Sequence, residues 1–411
     1  MPHITVLQNA LLLDGTGREP VAGATLVVEG RYIKEVGAGP PGAVPASATV
    51  LDLRGRTLMP GLIDAHVHAC AVDANLLDQH RHYSASLLTV KAVHILAETL
   101  EQGFTTVRDA AGADWGLREA QAQGLIRGPR LLISGRALSQ TGGHADMRRR
   151  PELGPLLVDG CNLGVVCDGV AEVRRAAREQ LRQGADQIKV MAGGGAMSPS
   201  DEIAATQFSV EELQVAVTEA RAAGAYVMAH VYSAQGIKNC MAAGVRSIEH
   251  GNLLDAEAAQ AIQQAGAFLV PTMVTYEMLS RHGKEYGIPD DNIRKINEAR
   301  QRSQEALKLA HGHGVKIGSG SDLLGPMQGH KAMELELKAQ VLSPMEAIIS
   351  ATRVNAELMG RAHELGTLEA GKLADLLVVQ GNPLEDIRLL QHYRDNFLVI
   401  MQAGQLYKNL L

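Results

Sequence analysis

The chain has 411 residues, of which 46% are hydrophobic, 20% charged and only 3% aromatic, with 43 glycines. This is the composition of an Ala/Gly/Leu/Val-rich α/β protein large enough to bury a sizeable core, and it excludes a disordered or fibrous chain. The formal net charge of −6 is mild, and the one basic cluster, Arg148-Arg149-Arg150, falls short of a nucleic-acid-binding stripe.

The opening Met1-Pro2-His3-Ile4-Thr5-Val6-Leu7 lacks the basic-then-apolar pattern of a secretion signal, and no apolar run is long enough to span a bilayer. A soluble cytoplasmic protein with no nucleic-acid or membrane partner is expected. Cys70, Cys161, Cys167 and Cys240 show no C-x-x-C spacing and read as reduced thiols.

Short strands open the chain at residues 4–7 and 11–13, followed by a hairpin over residues 26–33 that turns at Gly30, and by residues 51–55. The C-terminus has the same texture, with a strand over residues 374–379 and a hairpin made of residues 398–401 and 404–407. Neither end holds enough strands to be stable by itself, so residues 1–58 and 366–411 are expected to pair into one small β-sandwich.

Residues 59–365 alternate short apolar strands with helices, the signature of parallel βαβ units. Candidate strands lie at residues 62–68, 105–109, 130–134, 187–191, 226–231, 246–250, 268–271 and 316–319. Eight is the strand number of a (β/α)8 TIM barrel. Ser209-Val210-Glu211-Glu212 and Ser343-Pro344-Met345-Glu346 fit helix-starting capping boxes, the second with proline at the first helical position. Two connections, residues 137–168 and 193–207, are longer than compact domains usually tolerate without a functional reason.

Barrel enzymes place their chemistry at the C-terminal ends of the strands. In Met59-Pro60-Gly61-Leu62-Ile63-Asp64-Ala65-His66-Val67-His68, strand alternation projects His66 and His68 to one side, where two imidazoles grip one ion. The fourth candidate strand carries Lys189, the fifth and sixth end in His230 and His250, and the eighth is followed by Asp322. Any one of these fits a satisfied core residue, but six metal-competent groups at the mouths of five strands point to a metal site. Lys189 alternates with Ile188 and Val190, so one of those two faces is the lumen. An ammonium beside two dications is repelled, so with metals present the lysine must be neutral or altered. A neutral amine adds carbon dioxide to give a carbamate, a bidentate anion able to bridge two ions.

Over essentially its full length the chain resembles the binuclear branch of the amidohydrolase superfamily. The resemblance rests on residues 60–68, Lys189, His230, Ser247-Ile248-Glu249-His250-Gly251, Gly320-Ser321-Asp322, Thr352-Arg353-Val354-Asn355-Ala356 and residues 366–376. It implies that His66, His68 and Asp322 hold the more buried of two divalent ions, with zinc the expected metal, that His230 and His250 hold the other, and that carboxylated Lys189 bridges them. It also implies attack by a metal-bridging hydroxide, with Asp322 shuttling the proton to the leaving amine.

Within the superfamily the chain looks most like the Xaa-Pro dipeptidase (prolidase) and N-acyl amino-acid hydrolase group, on Thr141-Gly142-Gly143-His144, residues 193–199, Gln207-Phe208-Ser209 and His230-Val231-Tyr232. The expected substrate is a small carboxylate-bearing amide, either a dipeptide or an N-acyl amino acid. Tyr232, two residues beyond His230, is placed to meet the carboxylate, His144 to meet that group or the scissile carbonyl, and Arg148 to add a cation. The competing readings are a cyclic-amide (imidazolone-type) hydrolase, a deaminase, a lactone, carbamate or organophosphate hydrolase, and a non-catalytic scaffold. A homo-oligomer is expected.

Overall fold

The first and last strands of the chain meet in one sheet. In this computed structural model, which describes residues 3–42, 45–153, 162–198 and 201–411, the hydrogen-bonded order is Gln405–Asn409, Phe397–Gln402, Leu376–Val379, Thr57–Pro60, Ile4–Leu12, Val21–Glu29 and Tyr32–Ala38, with Thr49–Asp52 beside Ile4–Leu12. Cys161 and Pro199 lie outside the described residues. The two chain ends join where Leu376 pairs antiparallel with Pro60 and Val379 with Thr57. Leu7, Leu26, Val28, Leu376, Val378, Val399 and Met401 share one apolar core, which neither end supplies alone.

The chain forms two compact units, one of Met1–Asp64, Glu98–Thr106 and Lys331–Leu411 and the other of Ala65–Ala97 and Val107–His330. Ile4–Leu12 runs through the gap that the sequence reading left between residues 7 and 11. A bulge there puts Asn9 at φ 58° and shifts the register between Leu7 and Ala10, so the apolar alternation breaks while the strand continues. The C-terminal hairpin turns at Ala403 and Gly404, both at positive φ, as a tight two-residue connection requires.

In the second unit, seven strands pair in parallel in the order Gly164–Val166, Ala137–Ser139, Gln187–Met191, Tyr226–Ser233, Ser247–Leu253, Phe268–Val270 and Lys316–Ile317. Leu62–Val67, Phe104–Asp109 and Arg130–Leu132 form a three-stranded sheet, of which residues 65–67, 107–109 and 130–132 belong to this unit. Ala65 N donates to Ser319 O at 2.8 Å and Asp186 N to Ile133 O at 2.7 Å, tying the two sheets together at two places.

Strands therefore form at all eight positions read from the sequence. The described part of residues 137–168, expected to be a long loop, also contains two three-residue strands. Val190 pairs with Leu138, and Ala137 with Gly164, so short apolar triplets find partners that are too brief for a periodicity to register. Ser209 and Ser343 cap their helices in reciprocal boxes with Glu212 and Glu346. Among the described residues, no helix is long and apolar enough to cross a membrane.

Candidate active site

Alternation along Gln187–Met191 decides where Lys189 points. Ile188 and Val190 pack with Val173, Ala177, Leu213 and Ala216 from the helices, while Lys189 and Met191 line a pocket on the other face. The next strand repeats the pattern, with Val227, Ala229 and Val231 in the helical core and His230 and Tyr232 in the pocket.

In the strand Ser247–Leu253, strict alternation would put Glu249 and His250 on opposite faces. His250 instead adopts φ 74°, and the left-handed turn brings both side chains inward. Thr272 at φ 47° and Asp322 at φ 51° are two further non-glycine residues in this sparsely populated region, which concentrates at functional sites.

His66, His68, Lys189, His230, His250 and Asp322 all line the same pocket. The donor atoms of His66, His68 and Asp322 lie within 4.8 Å of one another. His66 Nε2 is 3.5 Å and His68 Nε2 3.2 Å from Asp322 Oδ1, and His250 Nδ1 is 4.0 Å from Oδ2. The His250 ring lies 5.1 Å from that of His66 and 4.5 Å from that of His230.

Each of the four imidazoles has one nitrogen engaged by a fixed protein oxygen. His66 Nδ1 donates to Glu249 Oε2 at 2.7 Å, His68 Nδ1 to Ala111 O at 3.0 Å and His230 Nε2 to Gly194 O at 3.0 Å. His250 Nδ1 meets Thr272 Oγ1 at 2.7 Å. This is the donor arrangement of metal-binding histidines, in which an outer partner fixes the tautomer and leaves the second nitrogen as ligand. The residues present fit divalent ions.

The electrostatics agree for three of the four imidazoles, whereas His68, lowered by burial but lifted further by its bond to Asp322, is raised. Burial and the neighbouring Lys189 hold His66 well below the ordinary imidazole range, burial and the surrounding imidazoles do the same for His230, and burial brings His250 down to about 3. All three are neutral, as a metal ligand must be. Burial pushes the Asp322 carboxyl up, but His66, His68 and His250 together override it and keep the group an anion. Burial brings the Lys189 ammonium down to about 8, which makes the neutral amine accessible.

His144 stacks on His230 with ring centroids 4.2 Å apart, and its Nδ1 lies 3.0 Å from Ser198 Oγ. Tyr232 accepts a 2.9 Å hydrogen bond from the Tyr276 hydroxyl and stacks on His250. Both line the pocket, a concavity of about 540 Å³ including its mouth, whose apolar wall includes Leu76, Met147, Met197, Leu279 and Leu324. Arg148 is placed differently. Its guanidinium grips Asp146 through bonds of 2.7 and 2.6 Å, and its neighbour Met147 reaches the pocket instead.

Sequence reading passed over Glu249, Arg108 and Tyr276. Arg108 carried a usable signal, because a charge inside an apolar strand demands a buried partner. Tyr276 sits on the helix Met273–His282, which follows a strand with no ligand candidate.

The amidohydrolase family model matches residues 57–403. Ochratoxinase from Aspergillus niger is 34% identical over 428 aligned positions, covering 98% of this chain and 87% of that protein. A crystal structure of a prolidase complexed with N-methylphosphonate-L-proline matches with a TM-score of 0.95 at 44% identity, covering 99% of this chain and 100% of the other. A Xaa-Pro dipeptidase with methionine bound in its active site matches with a TM-score of 0.88 at 31% identity, covering 99% of this chain and 100% of that one.

Proposed function

This chain belongs to the amidohydrolase family, and from that membership we propose that it is a binuclear metal-dependent hydrolase of amide bonds in small carboxylate-bearing substrates, either dipeptides such as Xaa-Pro or N-acyl amino acids. The observation that carries the reading is the set of four histidines, each with one ring nitrogen held by a protein oxygen, gathered with Asp322 and Lys189 in one pocket. In this reading the two sheets of the second unit close into a (β/α)8 barrel, which the Ala65–Ser319 and Asp186–Ile133 hydrogen bonds support.

His66, His68 and Asp322 would hold one divalent ion and His230 and His250 the other, with Lys189 between them as a carbamate. When bound, such ions supply Lewis acidity and lower the pKa of water. Asp322 Oδ2, the oxygen not turned to His66 and His68, accepts the proton of the attacking water and passes it to the amide nitrogen as the C–N bond breaks, giving a carboxylate and a free amine. Tyr232 donates its hydroxyl hydrogen to the substrate carboxylate while accepting from Tyr276, which fixes the direction of the phenol. His144, seated on His230, meets the scissile carbonyl or the carboxylate. The methionine and leucine wall excludes water and accommodates an apolar acyl or side-chain group.

The likeness to a prolidase, a Xaa-Pro dipeptidase and an ochratoxinase supports this substrate class. The test is a screen of dipeptides and N-acyl amino acids with zinc-loaded enzyme, scored by free amino acid released. Turnover confined to substrates with a free carboxylate next to the scissile amide is expected. Ring opening or ammonia release without amino-acid release would overturn the assignment.

A further inference from the structure

The Glu249 that holds His66 belongs to a buried ion pair whose other member, Arg108, the hydrolytic reading leaves without a role. The Arg108 and Glu249 side chains are both completely buried, and Arg108 Nη2 meets Glu249 Oε1 at 2.9 Å and Ser247 Oγ at 3.2 Å. Arg108 Nε donates to Ala65 O at 2.6 Å, and the Ser247 hydroxyl donates to the same Glu249 oxygen that Arg108 holds. The other carboxylate oxygen of Glu249 accepts from His66 Nδ1 at 2.7 Å. One guanidinium thus ties the backbone immediately before His66 to the strand that carries His250.

We propose that Glu249, oriented by Arg108, is a positioning residue that fixes the tautomer and ring direction of His66 for metal binding. The proposal rests on the reading of His66, His68 and Asp322 as ligands of one ion. A neutral imidazole has a single N–H. With that hydrogen committed at Nδ1 to a carboxylate, the lone pair resides on Nε2, the atom turned to Asp322. A carboxylate acceptor also makes the imidazole a stronger electron donor than a carbonyl acceptor would. The positive φ of His250 belongs to the same device, since without it Glu249 and His250 would not both face inward.

The alternative is a purely structural ion pair. Fully buried pairs are weak stabilisers, and replacing both partners with neutral groups of similar volume often leaves stability unchanged or raised. Two variants separate the roles. Glu249→Asp keeps a carboxylate near Arg108 but withdraws it from His66, and the double variant Arg108→Met, Glu249→Leu replaces the pair with apolar groups and removes the acceptor of His66. The full-length protein and both variants are loaded with zinc, and transfer of zinc to a chromophoric chelator is measured beside the thermal unfolding of the metal-free forms.

Folded variants are expected to bind zinc about 10- to 100-fold more weakly than wild type, with the metal-free double variant unfolding at or above the wild-type temperature. A folded variant of either kind that holds zinc as tightly as wild type overturns the proposal. Failure of both variants to fold assigns the pair to the core and overturns it too. A wild-type chain that takes up no zinc overturns the parent reading and this one together.

Discussion

Lys189 is held where its charge is costly, and that cost favours the neutral amine that the proposed metal site calls for. Burial moves its ammonium from 10.5 to about 8, a penalty on the order of 3 kcal/mol for the charged form. Below about pH 8 the amine is charged in both the folded and unfolded chains, and the folded state bears the full penalty. Between about 8 and 10.5 the unfolded chain holds the proton and the folded one does not, so stability rises with pH. Metal-free Lys189→Met is therefore expected to exceed metal-free wild type by up to about 3 kcal/mol at pH 7, with the gap closing towards pH 10.5, while zinc binding is lost. Urea unfolding across that pH range reads the difference. Equal stability at pH 7 would remove desolvation as the source of the shift. Lys189, His66, His68 and His230 were legible as pocket residues because strand alternation and chain order suffice to place them. Glu249 received no role although alternation carries it to the face of His230; it is His250 whose inward direction depends on a left-handed backbone angle that no residue type announces.

The segment from Gly193 to Gln207 explains how a loop holds a pocket side chain as firmly as a strand does. Gly193 bridges to Thr206, and the Gly194 carbonyl fixes His230. A Cβ on Gly195 would lie 1.9 Å from the His144 ring, so only glycine lets that imidazole seat against the backbone. The helix Asp290–Gly312 braces the far side, where Lys295 Nζ donates to Ser198 O at 2.9 Å and to Asp201 O at 3.0 Å, and Asn292 Nδ2 to Ala196 O at 2.7 Å. Gly195→Ala is expected to displace His144 and lower kcat/KM on the order of 100-fold, the cost of a small misplacement of a group at the reacting centre, with bound zinc retained. Steady-state kinetics beside zinc content checks this, and wild-type kinetics in Gly195→Ala would remove His144 from the site. The length of this connection and its glycine run were visible in the sequence, but the bracing helix lies some ninety residues further on. No local pattern links Lys295 to the carbonyls it holds.

Over the whole molecule, groups at the site pull stability in opposite directions as pH falls, and their balance is open to measurement. His66, His230 and His250 are buried neutral, with folded-state values below the ordinary 6.5. As pH drops through 6.5 the unfolded chain takes up three protons that the folded chain refuses, and metal-free stability falls. Asp322 acts in the same sense at lower pH, because its histidine neighbours favour the anion that acid removes. Two groups oppose them. His68, lowered by burial but raised further by its bond to Asp322, prefers its proton when folded, and burial pushes Asp109 up to about 6, so both gain as acid is added. The His68 gain is complete by pH 6.5, where the unfolded imidazole takes its proton, so between pH 6.5 and 4 only Asp109 opposes the three depressions, and they outweigh it. The metal-free chain is therefore expected to lose stability steadily from pH 6.5 towards pH 4. In the proposed reading zinc competes with protons for the same imidazoles and binds only the folded state, so loading with zinc should hold the profile flat until acid displaces it. Urea midpoints of the metal-free and zinc-loaded forms between pH 4 and 7 separate the two curves. A metal-free profile as flat as the zinc-loaded one would mean that the three histidines are not held neutral by burial, and with that the electrostatic case for a ligand cluster would fail.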